Sequence, residues 1–149
     1  MQLMKFIVRK SLYMTILVPL DGSTHSEKAL LYACDMAKNH KSRLILLYVV
    51  EKSPPVNLLD RKEYLEILKK FGNNILTKAK KTTTLQGVDS KIIMKEGNIT
   101  NEIVKLAKKE QCNLIIVGSK GLGATARFFL GSVSNKLANS SPCSILIVK

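Results

Sequence analysis

The chain has 149 residues, 46% of them hydrophobic, enough to bury one sizeable core and too few for two ordinary domains. Its longest apolar runs are strand-length, well short of the ~20 residues of a membrane-spanning helix. A formal charge of +13 invites a nucleic-acid reading, but aromatics make up only 5% with no Trp, and the basic residues are spread over several helical segments without stacking platforms, which argues against nucleic acid.

Residues 1–13 are basic, and Lys5, Arg9 and Lys10 interrupt every apolar run, so no secretory signal is expected there. This stretch reads as a flexible extension or an upstream start, ahead of a domain over residues 14–149. Thr15–Pro19 is the first predicted strand. A helix follows, opened by the capping box Thr24-x-x-Glu27, with Leu30, Ala33, Cys34 and Ala37 on one face, ending near Asn39-His40. Arg43–Val50 is the second strand. After a turn at Pro54-Pro55, a helix over about Leu58–Thr83 carries Leu65, Leu68, Ile75 and Ala79 on one side, with Gly72 as a local weakness.

Ser90–Lys95 is the third strand, and a helix from Ile99 to about Glu110 follows the cap Asn98. Asn113–Val117 and Ser144–Val148 are the last two strands, with a short helix Ser132–Asn139 between them that stops before Pro142. Short apolar strands alternating with longer helical segments define an α/β domain with a parallel sheet covered by helices on both faces. Such a doubly wound, Rossmann-like sheet holds its ligand beyond the carboxyl ends of the strands where the winding reverses.

The segment after the fourth strand is the most specific. Gly118-x2-Gly121-x9-Gly131-Ser132 leads from a strand through a glycine-rich loop into a helix start, an arrangement that turns backbone N–H groups and a helix dipole toward an anion. No Asp or Glu occurs from Gln111 to Lys149, whereas Lys120, Arg127, Lys136 and Lys149 are basic. Arg127 either reaches phosphate or stays solvated beside Phe128-Phe129-Leu130. A looser dinucleotide pattern, Gly121-Leu122-Gly123-Ala124-Thr125-Ala126, lacks the acid ~20 residues downstream that would grip a ribose, and no Walker sequence is present.

The second special loop is Pro19-Leu20-Asp21-Gly22-Ser23. Asp21 either closes an Asx turn onto Ser23 or serves a ligand or metal. His25 and His40 sit near helix ends and read as solvated or dipole-favoured positions rather than catalytic bases. Cys34, Cys112 and Cys143 form no Cys-x-x-Cys pair, and their odd number suits buried small hydrophobes in a reducing cytoplasm. No nucleophile–base set, metal-ligand spacing or paired catalytic carboxylates appear, so rapid turnover is not expected.

Taken together, Ile16-Leu17-Val18-Pro19-Leu20-Asp21-Gly22-Ser23, the long glycine pattern and the closing Ser141-Pro142-Cys143-Ser144-Ile145-Leu146-Ile147-Val148 resemble the universal stress protein family, in its ATP-binding branch, over residues 14–149. The resemblance implies strand order 3-2-1-4-5 and a homodimer joined through the last strand, Ser144–Val148. It implies ATP with Mg²⁺ as ligand, adenine near Pro19 and the backbone of Val49, and Asp21 toward the ribose or the metal. Gly118, Ser119, Lys120, Gly121, Leu122, Gly123, Ala124 and Gly131 would form the loop around ribose and phosphates, with Ser132, Val133 and Ser134 meeting phosphate at the helix start. Lys120 stands at a position that varies in the family. A stress-response role follows from the same likeness, with the nucleotide shifting a cytoplasmic dimer between states. A nucleotide-free interaction module and a sensor of AMP or a cyclic dinucleotide are the alternatives.

Overall fold

The computed structural model describes residues 14–52, 61–123 and 129–149. The turn at Pro54-Pro55, the helix start at Leu58, the extension 1–13, and Ala124, Arg127 and Phe128 lie outside the described residues.

Five parallel strands form one sheet in the order β3-β2-β1-β4-β5: β1 Thr15–Pro19, β2 Arg43–Glu51, β3 Ser90–Gly97, β4 Leu114–Gly118 and β5 Ser144–Val148. Four helices connect them: α1 Thr24–His40, α2 Arg61–Leu85, α3 Ile99–Lys109 and α4 Ser132–Ser140. β1 and β4 are buried along their whole length, as central strands covered on both faces must be. The edge strands are more open: β3 mixes exposed and half-buried positions, and β5 alternates between them.

Alternation along the strands sorts the core into two clusters. Ile16, Val18, Leu44, Leu46, Tyr48 and Ile116 face α1 and α2, meeting Ala29, Ala33, Cys34, Leu76 and Ala79. Leu17, Ile45, Leu47, Ile115 and Val117 face α3 and α4, meeting Ile103, Leu106, Ala107 and Leu137. Right-handed crossovers produce this division because the winding reverses at β1: connections toward β2 and β3 place helices on one face, those toward β4 and β5 on the other.

The elements match the predicted ones within a few residues, with three instructive differences. Ser23, not Thr24, caps α1: its hydroxyl accepts from the Ser26 N–H at 3.2 Å. Glu27 therefore does not complete a capping box and instead pairs with Lys78 of α2 at 2.6 Å. β3 runs on to Gly97 because it pairs with β2 through Glu51 beside Gly97, an edge ladder that the mixed polar sequence Lys95-Glu96-Gly97 hides. Gly72 is no weakness: a Cβ there would run into the Tyr48 ring, so the glycine lets α2 settle directly onto β2.

Candidate nucleotide-binding crevice

β1 pairs with β2 along its full length, but with β4 only through Ile16 beside Leu114 and Leu17 beside Ile115. The carboxyl ends of β1 and β4 are thus the reversal point of the sheet, and the two special loops leave from them side by side. A cleft of about 310 Å³ opens there, at the lower end of the ~300–1,000 Å³ typical of small-molecule sites.

The first loop is a tight turn. Gly22 takes φ +84°, a region open to glycine. Asp21 Oδ1 accepts from the Ser23 N–H at 2.9 Å, so the Asx turn forms, and the other oxygen, Oδ2, is directed at Gly121. Ser26 Oγ donates to Ser23 O at 2.9 Å and fixes the turn on the first residues of α1. Ser23 Oγ also approaches Lys120 O at 3.4 Å, tying this loop to the second one.

The second loop is fastened at both ends. Ser119 donates its N–H to Val148 O at 2.7 Å, and Ser119 O accepts from the Gly131 N–H at 2.6 Å and from Ser134 Oγ at 2.9 Å. Gly131 is required by proximity, since a Cβ there would stand 3.1 Å from Ser119 O and 3.2 Å from Lys120 Cα. It is also the N-cap of α4 and, among the described residues, no side chain caps that helix, whereas α1 and α3 are capped by Ser23 and Asn98. Among the described residues, the first N–H groups of α4 therefore have no capping side chain at the cleft.

Most of the predicted site residues line the cleft: Pro19, Asp21, Val49, Gly118, Lys120, Gly121, Leu122, Gly131, Ser132, Val133 and Ser134. The Ser134 hydroxyl is turned inward to Ser119 O and Gly131 O, leaving its backbone as the part that can meet a ligand. Ser119 stands behind the cleft, 3% exposed, as a loop anchor. Gly123 does not line it, and Ala124 lies outside the described residues. His25 enters by its backbone: a Cβ on Gly118 would come within 2.7 Å of its carbonyl carbon, so Gly118 admits the start of α1 to the end of β4.

Sequence reasoning missed most of the apolar wall, the part that α2 and α3 supply. Tyr48 from β2 and Tyr64, Leu68 and Phe71 from α2 line one side, with Ile99 and Ile103 of α3 on the other. Tyr48 and Phe71 meet edge to face with ring centroids 6.2 Å apart. The helical periodicity of Leu65, Leu68 and Ile75 announces the buried face of α2, but nothing in it says that Tyr64 and Phe71 sit at the sheet's carboxyl end. Burial raises the Tyr48 phenol above its ordinary pKa, and the Asp21 carboxylate and, once ionised, the Tyr64 phenolate add to the rise.

Asp21 and Glu51 are, among the described residues, the carboxylates on the lining, and Lys120 is its one lysine. Among the described residues, no group of three or more His, Cys, Asp or Glu side chains could hold a metal ion, and no helix is long and apolar enough to cross a membrane. The cleft offers apolar and aromatic walls to a flat ring system, a carboxylate to hydroxyl or amino hydrogens, and a helix N-terminus to an anion.

The sequence matches the Universal stress protein family over residues 12–149. It is 36% identical over 143 residues to a universal stress protein of Methanocaldococcus jannaschii, covering 94% of this chain and 84% of that protein. Among solved structures, a universal stress protein from Lactobacillus plantarum superposes with a TM-score of 0.84 at 25% identity, over 92% of this chain and 98% of the other. A universal stress protein crystallised in complex with cAMP superposes with a TM-score of 0.73 at 27% identity, over 93% and 99%. With the glycine-loop cleft at the reversal point of a β3-β2-β1-β4-β5 sheet, these similarities mean that the chain belongs to the universal stress protein family.

Proposed function

We propose that the cleft binds an adenine nucleotide, ATP with Mg²⁺, and that this chain acts as a nucleotide-responsive stress or regulatory protein in the cytoplasm rather than as a rapid ATPase. The observation that carries the reading is the uncapped N-terminus of α4, opening beside Gly121 and Gly131 on the same cleft as Asp21. Phosphate would take up the N–H groups of Ser132, Val133 and Ser134, and the adenine would lie between Pro19, the Val49 backbone and the apolar wall. A magnesium ion commonly sits between one or two carboxylates and the phosphates themselves, so Asp21 suffices as its protein ligand. Asp21 Oδ1 already serves the Ser23 N–H, which leaves Oδ2 for that task rather than for activating water. A turnover number above ~1 per second would overturn the binding-protein reading.

The solved relative in complex with cAMP favours a second reading, in which a mononucleotide with one phosphate is the physiological ligand. A homodimer through Ser144–Val148 completes the proposal: β5 is an edge strand with one side of its backbone unpaired, and Leu146 is 36% exposed on it.

The test is calorimetric titration with Mg-ATP, AMP and cAMP, comparing the parent with Ser132→Pro. Proline is favoured at the first position of a helix, and Gly131 before it is extended at ψ 161°, so the fold tolerates the change while one N–H facing the ligand is removed. The proposal expects saturable binding by the parent, weakened about tenfold or more in the variant, the scale of a charge-assisted hydrogen bond. Absence of binding by the folded parent would refute it and favour a nucleotide-free interaction module.

A further inference from the structure

Two of the three thiols, Cys112 and Cys143, stand at the end of the sheet opposite the cleft. Leu114 of β4 is registered beside Ser144 of β5, so Cys143 stands one residue and Cys112 two residues ahead of that pair. Neither cysteine belongs to a strand, but each stands within two residues of the start of β4 or β5, neighbouring parallel strands that lie about 4.8 Å apart. Disulfides span Cα separations of about 4.4–6.8 Å. Both side chains are directed to the same face, joining the cluster beneath α3 and α4, although both thiols are free. Cys112 is 8% exposed and Cys143 is half-buried, while Cys34 is fully buried on the other face of the sheet.

We propose that Cys112 and Cys143 are a modification site for peroxide, which converts them into a reversible disulfide that closes a covalent loop around β4, the glycine loop and α4. Cys143, the more exposed and with Ser141 Oγ 3.9 Å from its sulfur, reacts first. Its thiolate attacks one peroxide oxygen: the sulfur–oxygen bond forms, the oxygen–oxygen bond breaks, and the departing hydroxide takes a proton to become water. The Cys112 thiolate then attacks the sulfenic sulfur, forming the sulfur–sulfur bond and expelling the second oxygen as water. Two thiols lose two electrons and two protons, and the peroxide becomes two waters. Burial raises the Cys112 thiol, and the charge of an ionised Cys143 raises it further, as sulfurs within electrostatic range require. High thiol pKa values make the step slow near neutrality and faster as pH rises.

The same sheet segment is already tied at its far end, where Ser119 donates to Val148 O. A disulfide at the near end would fasten β5 to β4 at both ends, independently of whether the cleft holds a nucleotide.

The experiment treats the reduced full-length chain with hydrogen peroxide, alkylates the remaining thiols under denaturing conditions and maps peptides by mass spectrometry. The expected result is one alkylated cysteine, Cys34, a cross-linked Cys112–Cys143 peptide pair, reversal by dithiothreitol, and a rise in Tm of about 5 °C or more on oxidation. Cys143→Ser is expected to leave Cys112 alkylatable after the same treatment. Cys143 found as a sulfinic or sulfonic acid beside an alkylatable Cys112 would overturn the proposal, and so would a Cys143–Cys143 link between two chains.

Discussion

Asp21 and Gly121 come from the two loops at the reversal point, and a methyl group on Gly121 would stand 2.9 Å from Asp21 Oδ2. The absence of a side chain on Gly121 thus leaves the carboxylate its place at the cleft, with its other oxygen in the Asx turn. Gly121 does not have positive φ, so alanine meets no backbone strain there. Gly121→Ala is expected to keep the fold, displace the carboxylate and weaken Mg-ATP by about fivefold or more, with a smaller loss for AMP. Titrations with both nucleotides, beside a thermal melt, check this. Equal losses for the two ligands would detach Asp21 from the metal.

Gly118 behaves differently although it belongs to the same glycine pattern. A Cβ there meets the His25 carbonyl carbon at 2.7 Å and its Cβ at 2.8 Å, and backbone on a helix end cannot step aside as a flexible side chain can. Gly118→Val is expected to lower stability by about 2 kcal/mol or more through overpacking, with or without nucleotide. Urea denaturation measures it, and an unchanged midpoint would show that α1 moves off β4 freely. Loss of binding in that variant says nothing about direct contact with a ligand.

These two glycines mark the limit of what the chain discloses as a string of residues. The strands were legible because β1, β2 and β4 are continuous apolar runs buried on both faces, and the glycine spacing disclosed a loop and helix start at a strand end. Strand order came with the family resemblance rather than from periodicity. The α2 side of the cleft was not legible, because Tyr48 and Phe71 are brought together by packing between a helix and a strand, and helical spacing reports only which residues face inward. Ser23 and Thr24 offer adjacent hydroxyls, so the choice of cap rested on a backbone turn set by Asp21 and Gly22.

Gly72 tests whether local propensity or packing prevails. Alanine in place of a helical glycine ordinarily stabilises by about 1 kcal/mol. Here the added Cβ would overlap the Tyr48 ring, itself held by Phe71, and overpacking of this kind costs about 1–3 kcal/mol. Gly72→Ala is therefore expected to destabilise the parent, and to stabilise a Tyr48→Ala background in which the obstruction is gone. A double-mutant cycle by chemical denaturation measures both steps. Stabilisation in both backgrounds would mean that α2 shifts away from β2 without penalty.

Alkaline pH probes the buried thiols. Burial pushes Cys112 from 9.0 up to about 11 and raises Cys34 and Cys143 in the same direction. In each case the folded chain keeps a proton that the unfolded chain releases, so the stabilising contribution is complete below pH 9 and is lost as pH climbs toward 11. For Cys112 alone the loss is roughly 1 kcal/mol by about pH 10. Urea midpoints are expected to fall between about pH 8 and about pH 10, and Cys112→Ala is expected to flatten that fall without abolishing it, because Cys34, Cys143 and the raised Tyr48 phenol remain. An equally steep decline in Cys112→Ala would place the alkaline sensitivity on those other groups and leave Cys112 accessible to water in the native state.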